Sequence, residues 1–371
     1  MKLALLASSS FAWLAPQEPP VPPAPTVPSV AATVAYDPMA LPDAALPESL
    51  PLVVVDGARD REIPVRVYLP STPTKAPVVL WSHGLGGSRD NGAYLGRHWS
   101  ARGFVVVAMQ HAGSDESVWK DVKLRERHAA MQKAASGENL LLRCADVKAV
   151  LDQLAIWHGT ARHPLHDRLD LEHVGMCGHS FGAVTTQAVS GQSMPVLGAK
   201  FTDPRIDAAL PMSPSKPRAG DVGKAFGSVR IPWLLMTGTE DIAPIGDIDV
   251  ADRLCVYPAL PASIDRFELV LDGAQHSVFG ERAIGGERAI KEQHHRTILA
   301  LSTAFWDAYL RSDAAAKQWL CGDGARTALS AGDRWQHAAA GSTTPPAPTG
   351  EAKPAEPAEP ATKEPGRRRR R

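Results

Sequence analysis

Cysteine is scarce in this chain and shows none of the spacings that bind metals or build disulfide scaffolds. The four cysteines are Cys144, Cys177, Cys255 and Cys321, and no two of them form a C-x-x-C pair. This pattern excludes a disulfide-stapled small domain and a zinc finger. Cys177 lies in an apolar run and is interpreted as a small core residue. A Cys255–Cys321 bridge is compatible with an exported protein, but spacing alone does not establish it.

The chain also lacks net charge. Lysine plus arginine number 40 and aspartate plus glutamate number 40, so no global field attracts a polyanion. We therefore expect no nucleic-acid partner.

The apolar stretch Leu3–Ala15 is uncharged but too short for a transmembrane helix. Because it follows the basic start Met1-Lys2, it is typical of a secretory signal. We predict a signal peptide over residues 1–15, no stable membrane span, and an exported protein that is periplasmic or secreted.

Both ends of the chain are poor in residues that build a core. Residues 16–47 are predicted to be a Pro-rich linker, with seven prolines between positions 16 and 30. Residues 338–371 are predicted to be a disordered tail of Pro, Ala and Glu that ends in Arg367–Arg371. The arginines could contact anionic envelope polymers, and a merely solvated tail is an equal alternative.

Between these ends, residues 48–337 alternate between strand-like and helix-like patterns. The strand-like runs are 51–57, 63–69, 76–82, 104–111, 174–177, 207–213, 233–238 and 266–272. The first two predict an antiparallel pair, and apolar positions at helical spacing predict helices over 140–154 and 290–309. This alternation predicts an α/β protein with a mainly parallel sheet and helices on both faces. Chemistry in such sheets lies at the carboxyl ends of the strands.

The segment Gly178-His179-Ser180-Phe181-Gly182 matches the G-x-S-x-G pattern of a nucleophilic serine. The apolar run 174–177 enters the pattern, and the helix-compatible AVTTQAV leaves it. A serine at such a sharp strand-to-helix turn takes a strained backbone and projects its hydroxyl from the sheet. Ser180 is therefore the predicted nucleophile.

A glycine-rich loop, Ser82-His83-Gly84-Leu85-Gly86-Gly87, directly follows the run 76–82. A loop at this place commonly supplies one backbone amide to an oxyanion, and the residue after the nucleophile supplies the other. We predict that the amides of Leu85 and Phe181 form this oxyanion hole. A phosphate-binding loop is disfavoured because the Lys-Ser/Thr ending is missing.

A serine hydroxyl needs a base with a pKa near 7, and histidine suits that task. His276 follows the run 266–272, where the order serine, acid, histidine requires it. The acid should follow the run 233–238, and Asp241 is the first choice. Its role would be to hold the tautomer of His276 and stabilise the imidazolium. The alternatives for the acid are Glu240, Asp247 and Asp249.

Four strings together resemble a known family: SHGLGG (82–87), VGMCGHSFGA (174–183), TGTEDIAP (237–244) and GAQHSVF (273–279). They resemble the predicted dienelactone hydrolase group, which is related to plasma-type platelet-activating-factor acetylhydrolases and cutinase-like polyester hydrolases. The pattern Arg143-x-x-Asp146 is similar too. The resemblance covers roughly residues 50–337.

This resemblance implies the α/β-hydrolase fold, a Ser180–Asp241–His276 triad, no metal or other cofactor, and hydrolysis of carboxylic esters. Two departures bear on the substrate. Dienelactone hydrolases proper have a cysteine nucleophile where this chain has Ser180. The oxyanion loop carries Leu85 where polyester-cleaving enzymes commonly have an aromatic residue, which disfavours a flat aromatic polymer.

We therefore expect a monomeric serine esterase that acts on a small-molecule or lipid-like ester through an acyl-enzyme. Leu85, Phe181 and Val278 are predicted to line an apolar pocket, with core packing an equal alternative for Val278. Segments 112–139 and 214–230 are predicted to cover the site. One rival function is an acyltransferase, or a lipid or amide hydrolase, with the same triad. Another is a non-catalytic envelope-binding protein that works through its arginine tail.

Overall fold

A sheet of nine strands runs through the computed structural model, which describes residues 35–45, 47–283 and 286–342. The strand order is β1-β2-β4-β3-β5-β6-β7-β8-β9. Strands β3 to β8 pair in parallel, and the outer pairs β1–β2, β2–β4 and β8–β9 are antiparallel. The strands are β1 Leu50–Asp56, β2 Arg61–Tyr68, β3 Ala76–Ser82, β4 Val105–Met109, β5 Leu169–His179, β6 Ala208–Met212, β7 Trp233–Glu240, β8 Arg266–Gln275 and β9 Arg334–Ala338.

Helices connect these strands and cover both faces of the sheet. The longer ones are α1 Ala93–Ala101, α3 Leu124–Ala134, α4 Gly137–Gly159, α5 Phe181–Val189, α9 Glu292–Leu310 and α10 Ala314–Cys321. The shorter ones are α2 Ser117–Lys120, α6 Val222–Phe226, α7 Val250–Leu254, α8 Val256–Ala259 and α11 Asp323–Thr327. A 3₁₀ turn, His276–Phe279, follows β8.

The central strands are apolar on both sides because both sides are buried. All seven residues of β3 are buried, and successive side chains point to opposite faces. Val79 and Trp81 pack in one cluster with residues of α1 and α9. Val78 and Leu80 pack in a second cluster with residues of α4 and α5. The predicted α/β architecture, a mainly parallel sheet with helices on both faces, is confirmed.

Strand β9 was not predicted from the sequence. Its residues, RWQHA, mix polar and aromatic side chains without apolar alternation, because this strand lies at the edge of the sheet. Hydrogen bonds to the sheet domain also continue past the predicted boundary at residue 337. Ala340 donates its amide to Asp265 and Gly341 donates to the carbonyl of Ala262, each at 2.7 Å.

Part of the predicted linker packs on the sheet domain. The Tyr36 hydroxyl donates to Asp307 of α9 at 2.8 Å, and its ring meets Trp319 edge-on. Arg102 donates to the carbonyl of Ala40 at 2.6 Å. Residues 36–40 are therefore not a free linker, because they partly bury an aromatic ring and donate a hydrogen bond to a buried carboxylate. The predicted signal peptide (1–15), residues 16–34 of the predicted linker, and residues 343–371 with Arg367–Arg371 lie outside the described residues.

The structure contains no disulfide between Cys255 and Cys321, which are both free thiols. Cys255 packs with the cluster around α6 and α8, whereas Cys321 packs with the cluster around α1 and α9. These clusters lie on opposite faces of the sheet, so the bridge that the sequence left open is not formed. No helix within the described residues is long and apolar enough to cross a membrane.

A buried carboxylic acid joins β8 to the edge strand β9. Glu268 lies opposite Gln336, whose amide nitrogen donates to the Glu268 carboxyl group. Burial raises the pKa of Glu268 to about 7, although the Gln336 hydrogen bond and Arg334 oppose the shift. An acid whose pKa is raised on folding contributes stability below its unfolded pKa and loses it as pH rises through the folded value.

We therefore predict that Glu268→Gln stabilises the protein above pH 7 and changes little near pH 4.5. The gain should grow between these values to roughly 3 kcal/mol, because each pKa unit corresponds to about 1.4 kcal/mol. Urea unfolding at pH 4.5, 6 and 8 measures it. Glu62→Gln, on an exposed strand position, is the control and should show no such trend. An equal effect of Glu268→Gln at all three pH values would contradict the prediction.

Candidate active site

Ser180 occupies a strained turn between β5 and α5. Its backbone has φ 58° and ψ −116°, a region that costs a non-glycine residue about 1–3 kcal/mol. The Ser180 amide donates to the carbonyl of Met212 in β6 at 2.9 Å. This bond and the helix that follows hold the side chain above the carboxyl end of the sheet, as the sequence motif predicts.

Two glycines allow this turn to form. A Cβ atom at Gly182 would overlap the carbonyl oxygen of Ser82, and one at Gly178 would be too close to the carbonyl of Gly182. The end of β3 therefore lies directly against the start of α5. This close approach brings the loop after Ser82 beside the Ser180 hydroxyl.

The structure brings the three predicted catalytic side chains together. Ser180 Oγ lies 2.9 Å from His276 Nε2, and His276 Nδ1 lies 2.6 Å from Asp241 Oδ1. Asp241 follows β7, and His276 begins the 3₁₀ turn after β8. The chain of hydrogen bonds thus links groups from the ends of three strands of one sheet, β5, β7 and β8.

The other carboxylates considered for the acid lie elsewhere. Glu240 points to solvent and pairs with Arg288 at 2.6 Å. Asp249 caps the amino end of α7, and Asp247 lies on an exposed loop before that helix. Because they cap a helix or face solvent, none of these three carboxylates lies beside His276.

Asp241 is fully buried but well supplied with hydrogen-bond donors. Ser213 Oγ and Thr237 Oγ1 donate to Oδ2 at 2.7 and 2.8 Å. Burial alone would raise the pKa of Asp241, but the charges of His276 and Arg253 and the Ser213 hydroxyl hold it well below the usual range. The carboxylate therefore stays ionised beside the imidazole.

Arg253, which the sequence did not single out, lies behind this pair. It is 1% exposed, and its Nε donates to the carbonyl of Asp241 at 2.7 Å and lies 3.0 Å from Asp241 Oδ1. Its Nη1 donates to the carbonyls of Ser213 and Pro214 at 2.9 and 3.1 Å. One guanidinium group therefore fixes two loops. One carries Ser213, which donates to the acid, and the other carries Asp241 itself.

His179 supports the loop of the histidine base. Its Nε2 lies 2.9 Å from the carbonyl oxygen of His276, and the two rings are 4.7 Å apart. Burial, together with the neighbouring His276, lowers the pKa of His179 to about 3. A neutral His179 therefore donates to that carbonyl and holds the turn that carries His276.

The two amides predicted to form the oxyanion hole have no protein acceptor in the part of the chain that the structure describes. Among the described residues, no carbonyl or side chain accepts a hydrogen bond from the Leu85 or Phe181 amide. Phe181 is the first residue of α5, where amides have no partner within the helix. Both amides are thus available to an oxygen atom placed beside Ser180.

A cleft of about 1500 Å³ opens over Ser180 and His276. Predicted covering segments form two of its walls, through Trp119 and Met131 from 112–139 and Pro217 from 214–230. The remaining apolar lining includes Leu85, Phe181, Leu140, Met194, Ile245 and Phe279. The walls at 192–197 and 243–248 were not predicted, because short irregular segments carry no periodic signal.

The structure does not place Val278 in this cleft. Val278 is 2% exposed and packs in the core with residues of α9. Phe279 packs in the same cluster and is fully buried, but it borders the cleft, which Val278 does not. The prediction that Val278 lines the pocket is therefore wrong.

The sheet, the strained serine turn and the order of the three side chains define an α/β hydrolase. The chain belongs to the PET hydrolase-like family, whose model matches residues 64–336. The predicted resemblance to cutinase-like hydrolases is confirmed, and a closer relation to dienelactone hydrolases stays a prediction.

Individual relatives are distant. Cutinase 2 of Thermobifida cellulosilytica is 25% identical over 211 residues, which cover 57% of this chain and 64% of that protein. Cutinase cut1 of Thermobifida fusca is 25% identical over 57% of this chain and 52% of that protein. Cutinase est2 of Thermobifida alba is 22% identical over 71% of this chain and 69% of that protein. The chain thus spans only part of the length of each relative.

We predict that Gly182→Ala abolishes the site by forcing β3 and α5 apart. The new methyl group overlaps a backbone carbonyl, which cannot rotate away. Gly159→Ala is the matched control, because a Cβ there meets nothing within 4 Å. We expect Gly182→Ala to be insoluble or to melt several degrees lower, and Gly159→Ala to match the parent protein in thermal melts. A Gly182→Ala protein as stable as the parent would contradict the described contact.

Proposed function

We propose that this chain is a serine hydrolase that cleaves carboxylic esters through an acyl-enzyme. The hydrogen-bonded chain from Ser180 through His276 to Asp241 carries the proposal. It lies at the floor of an open cleft and faces two free backbone amides. Membership of the PET hydrolase-like family and the cutinase relatives support ester hydrolysis.

In the first half of the reaction, Ser180 Oγ attacks the ester carbonyl carbon while His276 Nε2 takes the hydroxyl proton. The carbonyl oxygen becomes an oxyanion between the amides of Leu85 and Phe181. Preformed donors of this kind stabilise the transition state more than the substrate. Collapse of the intermediate expels the alcohol, which receives the proton from His276, and leaves an acyl group on Ser180.

In the second half, a water molecule replaces the alcohol. His276 removes its proton as the oxygen attacks the acyl carbonyl, and Ser180 leaves with that proton when the acid product forms. Asp241 stays ionised and stabilises the imidazolium twice in each cycle. Arg253 and the two hydroxyl donors keep that carboxylate in place.

The cleft favours esters with bulky apolar parts. Its lining is dominated by aliphatic and aromatic side chains, with Trp119 and Met131 on one side and Phe181 beside Ser180. A cleft of about 1500 Å³ exceeds the usual volume of a small-molecule site. A lipid-like ester or a segment of a polyester fits these dimensions.

Replacing any member of the triad should remove turnover of p-nitrophenyl esters tested from acetate to decanoate. We predict that Ser180→Ala and His276→Ala each lose nearly all activity, and that Asp241→Asn lowers kcat about 10⁴-fold because the wrong tautomer of His276 is favoured. The chain-length profile of the parent protein measures the acyl part of the cleft.

Glu240→Gln is the matched control for the acid, since Glu240 is adjacent in sequence but points to solvent. A silent Asp241→Asn beside an inactive Glu240→Gln would refute the assignment of the acid. Alcohols added in competition with water test the rival function, because an acyltransferase yields mainly the new ester. An absence of turnover on every ester would favour the hypothesis of a non-catalytic envelope-binding protein.

We also propose that the protein is exported, on the sequence of residues 1–15. Expressed with its full N-terminus, it should appear outside the cytoplasm as a shortened chain. Mass spectrometry of the purified protein measures the new N-terminus, and a variant with Leu5 and Leu6 changed to Asp is the control that should stay inside at full length. A full-length active protein in the cytoplasm would contradict export.

The monomeric state and the contact of Arg367–Arg371 with anionic polymers stay predictions.

A further inference from the structure

We propose that Arg143 is a positioning residue that orients the Gly84–Leu85 peptide, and with it one amide of the oxyanion hole. The inference rests on the proposed function, since it assigns a role in the same reaction. Arg143 lies in α4, does not touch the cleft, and has no accessible surface. Its effect would therefore reach the substrate only through the residues that it contacts, which are the loop after β3 and Phe181.

The guanidinium group of Arg143 is bonded to the loop itself. Nη1 donates to the carbonyl of His83 at 2.7 Å, and Nη2 lies 3.5 Å from the carbonyl oxygen of Gly84. On the other side, Nε donates to Ser114 Oγ at 2.8 Å. The planar group thus spans the space between the oxyanion loop and the segment that follows β4.

The direction of the Leu85 amide follows from the Gly84 carbonyl. Both belong to one planar trans peptide, in which the C=O and N–H bonds point in opposite directions. His83 Nδ1 lies 2.6 Å from this carbonyl oxygen, on the side where Arg143 also lies. The N–H of Leu85 must then point away from Arg143, toward the cleft that Leu85 and Ser180 line.

The protonation of His83 is fixed by its neighbours. The backbone amide of His111 donates to His83 Nε2 at 3.1 Å, so the ring proton is on Nδ1 and faces the Gly84 carbonyl. Burial, and then the positive charge of Arg143, keep the pKa of His83 well below its usual range. A neutral imidazole with this tautomer is what the carbonyl requires.

A buried chain of polar side chains contacts Arg143 on the side away from the cleft. Ser82 Oγ lies 3.3 Å from Arg143 Nη1 and 2.9 Å from His111 Nε2, and His111 Nδ1 lies 3.0 Å from Asp146. Asp146 also accepts from Arg61 at 2.7 Å. This serine–histidine–aspartate chain has no exposed atom for a substrate to reach, so it serves the loop and not a second reaction.

Arg143 also contacts the other half of the oxyanion hole. Its guanidinium carbon lies 4.5 Å from the centre of the Phe181 ring. One buried cation therefore contacts Gly84, whose carbonyl shares a peptide with the Leu85 amide, and the ring of Phe181. A lysine cannot reproduce this arrangement, because it lacks the planar fork that reaches several acceptors.

The test compares Arg143→Lys and Arg143→Met with the parent protein on the best p-nitrophenyl ester. We expect kcat to fall about 10²-fold in Arg143→Met, the size seen when one oxyanion donor is lost, and less in Arg143→Lys. KM should change less than about threefold, because the ground-state ester does not need the amide. Arg266→Met is the matched control, because Arg266 is also a buried arginine but lies at the start of β8, at the opposite end from His276. This variant should lower the melting temperature without lowering kcat.

A second measurement separates orientation from general damage. Ser180 Oγ adds to the carbonyl carbon of a trifluoromethyl ketone analogue of the ester. The ketone oxygen then becomes an oxyanion in the position that the oxyanion of the ester would occupy. We expect its inhibition constant to rise in the Arg143 variants in proportion to the loss of kcat/KM. Folded Arg143 variants with the parent's kcat, or with unchanged inhibition, would overturn the inference.

The remaining outcomes also decide the matter. If the parent protein neither hydrolyses esters nor binds the ketone through Ser180, the proposed function fails and the inference with it. If the parent is active and both Arg143 variants fail to fold while Arg266→Met folds, Arg143 serves folding and the inference alone fails. If only Arg143→Met fails to fold, Arg143→Lys decides by its kcat and its inhibition constant.

Discussion

The contact between the carbonyl of Ser82 and Gly182 sets the geometry on which the rest of the site depends. It holds the end of β3 against the start of α5, so the glycine-rich loop after Ser82 and the serine turn occupy adjacent strand ends. The strained backbone of Ser180 is tolerated because this packing, and the bond from its amide to Met212, leave it no alternative. Once these two strand ends are fixed, the neighbouring strands β7 and β8 place Asp241 and His276 beside them in the same sheet.

Two buried arginines stabilise the irregular loops around this contact. Arg253 binds backbone carbonyls beside the acid, and Arg143 binds backbone carbonyls in the oxyanion loop. Loops leave carbonyl groups without partners, and a buried carbonyl without a donor is costly. A guanidinium group offers five donors in one plane and can satisfy several such carbonyls at once. The carbonyls beside Asp241 and in the loop after β3 are therefore paired, although the walls of the cleft are made of loops and short helices.

Much of this architecture could be predicted from the sequence because its signals are local. Runs of Val, Ile and Leu marked eight strands, and the G-x-S-x-G pattern with Asp241 and His276 in order marked the groups that meet. Arg253 gave no signal, because most of its acceptors are backbone carbonyls up to 40 residues away, and every residue type carries a backbone carbonyl. Arg143 appeared only as part of a family pattern for the same reason. Strand β9 and the orientation of Val278 depend on tertiary packing that no short window of sequence contains.

The bond between Tyr36 and Asp307 has a consequence for how the chain matures. The two residues are separated by 271 positions, so the aromatic anchor near the start cannot dock until α9 has been synthesised. Closing so long a loop carries a large entropic cost that local contacts do not repay. The contact between Tyr36 and Asp307 can therefore form only after the chain has been made as far as α9, and the docking of Tyr36 is among the last steps by which the chain reaches its native state.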